Sequence, residues 1–320
     1  MAVYTEVSFG EASELLESLQ LGQLQSLEGC AGGIENTNYF ATTDQGAYVL
    51  TLFERLTATQ LPYYLKLMKH LAVHGVPVPN PAADRQGELL YLVKGKPATV
   101  VNRLRGKSEL APSNAHCAEV GAMMASMHLA GRDFALNQPN LRGLHWWNDT
   151  VPVVLPYLDD AQAALIRAEL AYQNHLAASS MYAALPKGPV HADLFRDNVM
   201  FETQTSGPQL TGFFDFYFAG CDTFVFDIAV ALNDWCVDLN TGAQLPTHCG
   251  AFLEAYNRVR ALSGAEWQAL PAMRRAGALR FWISRLWDFH LPREASMLKA
   301  HDPGHFERVL REQLRALACN

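Results

Sequence analysis

Paired cysteines, long apolar runs and blocks of like charge are all missing from this sequence. Its six cysteines, Cys30, Cys117, Cys221, Cys236, Cys249 and Cys319, have no short paired spacing. That argues against a zinc site and against a disulfide framework, and they read as reduced thiols filling core space. No stretch reaches the roughly 18 apolar residues of a spanning helix, and the opening MAVYTEVSFGEA lacks the basic region and apolar core of a secretory signal. The expectation is a cytoplasmic protein without a membrane partner. The 25 Lys and Arg stand against 32 Asp and Glu, a net charge of -7 without long blocks. This balance offers no electrostatic footprint for a nucleic-acid backbone, so the expected partners are small molecules. Repeats and low-complexity tracts are absent too, which together with 49% hydrophobic residues excludes disorder and fibrous architectures.

A chain of 320 residues can bury about three quarters of its unfolded surface and usually divides into two domains. From residue 8 to about 105 the pattern mixes short strands with one long helix. LQSLEGC and NTNYFATT read as strands around Gly29, Gly32 and Gly33, and AYVLTLFE as a third strand after the turn Asp44 to Gly46. LTATQLPYYLKLMKHLAVHG has Leu61, Tyr64, Leu65, Met68 and Leu71 at helical spacing, stopped by Gly75 and VPVPNP. Strands LLYLV and ATVVNRL follow. The polar stretch from Arg105 to Ser113 marks a lobe boundary. Beyond it, NAHCAEVGAMMASMHLAG and DDAQAALIRAELAYQNHLAASSMYAAL have the spacing of long amphipathic helices.

Most of the chemistry lies in PVHADLFRDNVMFE and the following LTGFFDFYFAG. The first holds His191, Asp193 and Asn198 in an HxDxxxxN arrangement, and the second places Asp215 at the end of an apolar strand. Phosphoryl transfer from a nucleotide needs a carboxylate to accept the proton of an attacking hydroxyl, and hard oxygen ligands for magnesium. Asp193 suits the first role, and Asn198 and Asp215 suit the second. In protein kinases the catalytic Asp and Asn are likewise five apart, with Leu after the Asp as Leu194 is here. By itself the pattern arises by chance in a chain this long roughly two times in a hundred at ordinary residue frequencies. Asp215 adds weight, because a carboxylate within FFDFYF is costly unless a metal or donor meets it. In CDTFVFDIAVALNDW, Asp222 and Asp227 precede an apolar helical run that they can cap, and Asp227 can also accept backbone donors of the catalytic loop.

These residues resemble the aminoglycoside phosphotransferase and choline kinase family over nearly the whole chain. The resemblance implies an α+β, bilobal protein-kinase-like fold, with a small β-rich N-terminal nucleotide-binding lobe (1–105) and a larger, mainly helical catalytic and acceptor-binding lobe (106–320). It implies ATP as co-substrate, Mg2+ as cofactor, Asp193 as base, Asn198 and Asp215 as metal ligands, and His191 and Asp227 as supports of the catalytic loop. Gly32, Gly33 and Asn36 would lie near the phosphates, and Val101 and Asn102 beside the adenine. More narrowly, GGIENTNYFATTDQGAYVLTLFE and LRFWISRLWDFHLPRE look like the bacterial homoserine kinases, which implies L-homoserine as acceptor in a step toward threonine.

Two features depart from the family pattern. The glycine run is GlyCysAlaGlyGly rather than GxGxxG, and Thr51 in YVLTLFE stands where most relatives place a phosphate-binding cation. Either Arg55, Lys66 or Lys69 replaces that charge, or magnesium and loop amides suffice. A zwitterionic acceptor needs a cation for its carboxylate and an acid or carbonyl for its ammonium. Arg285 and Asp288, three apart on the C-terminal helix with Arg280, Trp282 and Trp287 nearby, are the candidates, and an internal helical ion pair is the competing reading. The cluster from His145 to Asn148 reads as core. The sequence is also compatible with a choline-type or aminoglycoside acceptor, and with a nucleotide-binding pseudokinase.

Overall fold

Alternating side chains in NTNYFATT put every second residue on one face, and that stretch is the second strand of a five-stranded antiparallel sheet in the computed structural model, which describes residues 5–30, 36–291 and 301–318. Gly32, Gly33 and Cys319 lie outside the described residues. Two compact units make up the chain: Met1–Arg105 with Gly212–Phe214, and Gly106–Thr211 with Asp215–Asn320.

In the first unit, strands β1 (Leu24–Gly29), β2 (Asn36–Thr43), β3 (Ala47–Phe53), β4 (Tyr91–Val93) and β5 (Lys96–Asn102) lie in the order β1-β2-β3-β5-β4. The register sets Thr51 between Asn38 and Thr99. Leu50, Leu52, Ala98 and Val100 form the core under a helix α1 (Phe9–Ser18), which contributes Ala12 and Leu16. The sequence reading misses α1, although its signal is present: Ser8 and Glu11 form a reciprocal capping box. Helix α2 (Leu61–Val73) buries the five residues expected of it but starts five residues later than LTATQ suggests. There the Gln60 side chain accepts the Thr57 N–H at 3.0 Å and closes a turn instead.

The second unit is mainly helical. Helices α3 (Asn114–Ala130), α4 (Leu144–Val154), α5 (Asp160–Ala177) and α6 (Ser180–Ala183) precede two two-stranded sheets. Strand β6 (Lys187–Val190) pairs with β9 (Gly220–Thr223), and β7 (Val199–Gln204) pairs with β8 (Gly207–Phe213). Helices α7 (Phe224–Trp235), α8 (Pro246–Val259), α9 (Gly264–His290) and α10 (Gly304–Ala318) follow. The expected single helix over DDAQAALIRAELAYQNHLAASSMYAAL breaks at Ser179, whose hydroxyl accepts the Tyr182 N–H at 3.2 Å and so caps a new helix. All 12 residues of α7 are buried, with α9 against it. Helix α3 meets α8 so closely that a Cβ on Gly121 would lie 2.2 Å from the Phe252 carbonyl oxygen. Cys117, Cys236 and Cys249 fill core as expected, but Cys30 and Cys221 are half-exposed. Among the described residues no helix is long and apolar enough to cross a membrane.

Candidate active site

Strand β6 delivers His191 into a loop whose shape is set by α7. Ala192 takes a left-handed conformation, φ 63°, a geometry that costs a residue with a Cβ about 1–2 kcal/mol. The Asp227 carboxylate offsets that cost by accepting the backbone N–H of His191 at 2.9 Å and of Ala192 at 2.8 Å. Two turns further along α7 the same face supplies more anchors. Asp234 accepts the backbone N–H of Arg196 at 2.8 Å and its Nε–H at 3.1 Å, and the Trp235 indole N–H donates to the Leu194 carbonyl at 2.9 Å. Arg196 also donates to the carbonyls of Asp234 and Leu110.

Behind Asp227 runs a buried chain of polar groups. His128 Nε2–H donates to Asp227 Oδ2 at 2.9 Å, and its Nδ1 accepts the Tyr256 O–H at 2.7 Å. Arg260 donates to Tyr256 at 3.1 Å and pairs with Glu266 at 2.8 Å. Burial holds His128 below the usual imidazole value despite the neighbouring Asp227, so the ring is neutral. Burial pushes Asp227 up, but the bond from His128 and the backbone donors outweigh it and hold the carboxyl below its ordinary range. A neutral donor facing an ionised acceptor matches the hydrogen-bond pattern.

Asp193 projects from this braced loop and is half-buried. Its backbone N–H donates to His191 Nδ1 at 3.3 Å, and its carbonyl accepts the Asn198 amide at 2.9 Å. That bond uses one N–H of the Asn198 amide, whose carbonyl oxygen is an acceptor of the kind that can ligate a cation. Asp215 lies two residues past the end of β8, in a left-handed conformation at φ 67°. The Asp193 carboxyl sits well above the ordinary range, first through burial and then through the charges of Asp215, Asp197 and Asp234, with Arg280 opposing them. The His191 ring packs on Phe216, centroids 4.6 Å apart.

The structure thus brings Asp193, Asn198, His191 and Asp227 into one bonded loop, with Asp215 close enough to act on Asp193 by charge. It does not pair Arg285 with Asp288 among the described residues. Asp288 is exposed, while Arg285 lies over the Phe306 ring at 4.4 Å and donates to the Asp302 carbonyl at 3.3 Å. The cap of α7 is Thr223, not Asp222 or Asp227: its hydroxyl accepts the Phe226 N–H, whereas Asp222 bonds Asn140 at 2.8 Å and Asp227 lies within the first turn. Trp147 packs as core, but Trp146 is half-buried. In the first unit, Asn36 begins β2, Val101 is buried in β5, and Asn102 accepts the Asn80 N–H at 2.7 Å. Lys69 is engaged with Asn80 and the Pro81 carbonyl, and Thr51 donates to Asn38 at 2.7 Å. Sequence reasoning missed His128, Arg196 and Asp234. Only Asp234 left a trace, at seven residues from Asp227 on the same helix face.

Comparison with known proteins gives the same picture at the level of the whole chain. Residues 26–274 match the model of the phosphotransferase enzyme family. A homoserine kinase from Polaromonas naphthalenivorans (strain CJ2) is 67% identical over 314 residues, 98% of this chain and 98% of that protein. One from Paraburkholderia xenovorans (strain LB400) is 55% identical over 322 residues, 99% of this chain and 97% of the relative. Among solved structures, an amicoumacin kinase in complex with AMP-PNP, Ca2+ and Ami has a TM-score of 0.67 at 16% identity, covering 98% of this chain and 94% of that one. The shared fold agrees with the expected α+β protein-kinase-like class. Identity of this order along the full length leaves one assignment: the chain belongs to the phosphotransferase enzyme family, in its homoserine kinase group.

Proposed function

We propose that this chain is an ATP-dependent kinase that phosphorylates the side-chain hydroxyl of L-homoserine, a cytoplasmic step toward threonine, by direct in-line transfer with Asp193 as base. The observation that carries the reading is the loop in which Asp193, bonded to His191 and Asn198, is held by Asp227 and shares its field with Asp215. Identity of 67% and 55% along almost the full length to proteins named homoserine kinase supports the acceptor.

The donor set suits Mg2+. Asn198 has an amide oxygen to offer, Asp215 a carboxylate, and the repulsion that raises Asp193 is what a nearby divalent cation relieves. Asn198 and Asp215 would hold the ion, which when bound neutralises charge on the nucleotide phosphates. Asp193 orients the homoserine hydroxyl and takes its proton as the oxygen forms its bond to the γ-phosphorus. The bond from that phosphorus to the β-bridging oxygen breaks, and ADP leaves. No covalent enzyme adduct is needed. Asp227 and His191 keep the loop in place, and neither needs to touch substrate. The first unit would take the nucleotide, with Gly32, Gly33 and Asn36 toward the phosphates and Val101 and Asn102 beside the adenine.

One observation favours a second reading, a nucleotide-binding pseudokinase: Thr51 is uncharged and already bonded to Asn38, and Lys96 on the next strand is paired with Glu54. Offering L-homoserine, choline and an aminoglycoside separately with Mg-ATP, and following ADP release and product mass, separates the readings. The account expects O-phospho-L-homoserine as the dominant product. Turnover of choline or the aminoglycoside with none of homoserine would remove the acceptor assignment, and tight Mg-ATP binding without transfer to any alcohol would favour the pseudokinase.

A further inference from the structure

A buried cation normally has every donor occupied, because an unpaired buried charge is costly. Arg280, on α9, departs from this. It is only 3% exposed, its Nη1 donates to Ser284 at 3.2 Å, and its Nη2 has no hydrogen-bond partner among the described residues. The guanidinium lies 3.9 Å from the centroid of Phe281 and 5.1 Å from that of Phe218. A second guanidinium, that of Arg142, faces the same Phe218 ring at 5.9 Å and Trp146 at 4.5 Å. Two arginines thus converge on one aromatic ring three residues after Asp215.

Charges of both signs act on Arg280. Burial brings Arg280 down to about 10, Asp193 opposes that fall, and Arg142 adds to it. In the other direction, Arg280 is the group that most lowers Asp193. The unpaired Nη2 of Arg280, which shares the Phe218 ring with the Arg142 guanidinium, calls for an anion. A carboxylate matches the guanidinium fork in shape and charge. Because Arg280 acts on the very group proposed to take the acceptor's proton, the anion belongs to the acceptor rather than to the far end of the nucleotide.

We propose that Arg280, assisted by Arg142, holds the carboxylate of the acceptor, so that the site selects a hydroxy amino acid over an amino alcohol of the same length. Arg280 thereby takes the carboxylate role that the sequence suggested for Arg285, and the ammonium partner suggested at Asp288 is left as it was. The inference rests on Asp193 being the base of an alcohol kinase and adds to that reading a named carboxylate subsite.

The test compares L-homoserine with 3-amino-1-propanol, which keeps the hydroxyl and amine and lacks only the carboxylate. For the unaltered protein, kcat/KM for 3-amino-1-propanol should be lower by about 100-fold, the effect of leaving a buried charged donor unmatched. Measured for each protein at a pH on the plateau above its own acid limb, Arg280→Gln should lower kcat/KM for homoserine by a similar factor, chiefly through KM, while the value for 3-amino-1-propanol and the KM for ATP stay within about threefold. Arg280→Lys, which keeps charge without the fork, should recover part of the preference. Equal use of both alcohols by the unaltered protein overturns the inference and leaves the kinase reading standing. An Arg280→Gln loss that is the same for both alcohols, or that appears in the KM for ATP, also overturns it. Failure of the unaltered protein to phosphorylate either alcohol removes the kinase reading and this inference together.

Discussion

Asp193 owes its character to its neighbours: burial first, and the charges of Asp215, Asp197 and Asp234 next, keep its proton on to higher pH than an ordinary carboxyl. A general base works only when deprotonated, so kcat/KM should fall as pH drops through this raised pKa, well above the usual carboxylate value near 4. Removing the opposing cation in Arg280→Gln should move that acid limb to higher pH. Asp215→Asn should move it lower, since a like charge is lost, and should raise the Mg2+ concentration for half-maximal rate by about tenfold or more. A pH profile and a metal titration on these two variants check both signs. An acid limb that stays near pH 4 in every variant would show that Asp193 does not titrate in the rate. The motif residues were legible because Asp193 and Asn198 are five apart in one loop and bond directly. Arg280 was not, because an unmet donor shows only after folding has buried it.

At the scale of the element, α7 is the brace. Asp227, Asp234 and Trp235 hold the loop from one face, and His128 on α3 holds Asp227 in turn. Asp227→Asn keeps the shape but weakens three bonds to a buried charge, so the expected cost is about 3 kcal/mol in urea unfolding, with kcat falling more than the KM for ATP. Loss of stability without that kinetic split would make Asp227 a core residue and nothing more. The α3 contact with α8 can be probed separately: Gly121→Ala would push a methyl group into the Phe252 carbonyl and should cost about 1–3 kcal/mol. Elements with a clean period were readable, as β2 shows by matching NTNYFATT residue for residue. Where polar side chains close local turns, period alone misleads: Ser179 splits α5 from α6, and Gln60 delays α2. The apolar run of α7 announced a buried helix and Asp227 was legible as an acceptor for the loop, but Asp234 was not, because every residue of the helix is inside and its period marks no single face.

For the whole molecule, acid stability follows from buried imidazoles. His128 is held below its ordinary pKa by burial, and His305 is brought down to about 4, also by burial first. The unfolded chain takes up these protons near pH 6.5 while the folded chain refuses them, so stability should fall as pH drops below about 6.5, by up to about 1.4 kcal/mol per pH unit for His128. His305 should add to this loss down to about pH 4, where its folded form takes up the proton as well. Asp227, whose folded pKa is depressed, should extend the loss below the ordinary carboxylate range. Urea midpoints between pH 7 and 4 measure this, and His305→Asn should flatten part of the curve. Unchanged midpoints across that range would contradict the neutral His128. The central claim, that Asp193 is the group that takes the proton from the acceptor hydroxyl, is tested most directly by comparing Asp193→Asn with the unaltered protein in single-turnover transfer from Mg-ATP to L-homoserine, alongside Mg-ATP affinity. The account expects transfer to slow by about 1,000-fold with affinity within threefold; transfer within tenfold of the unaltered rate would contradict it.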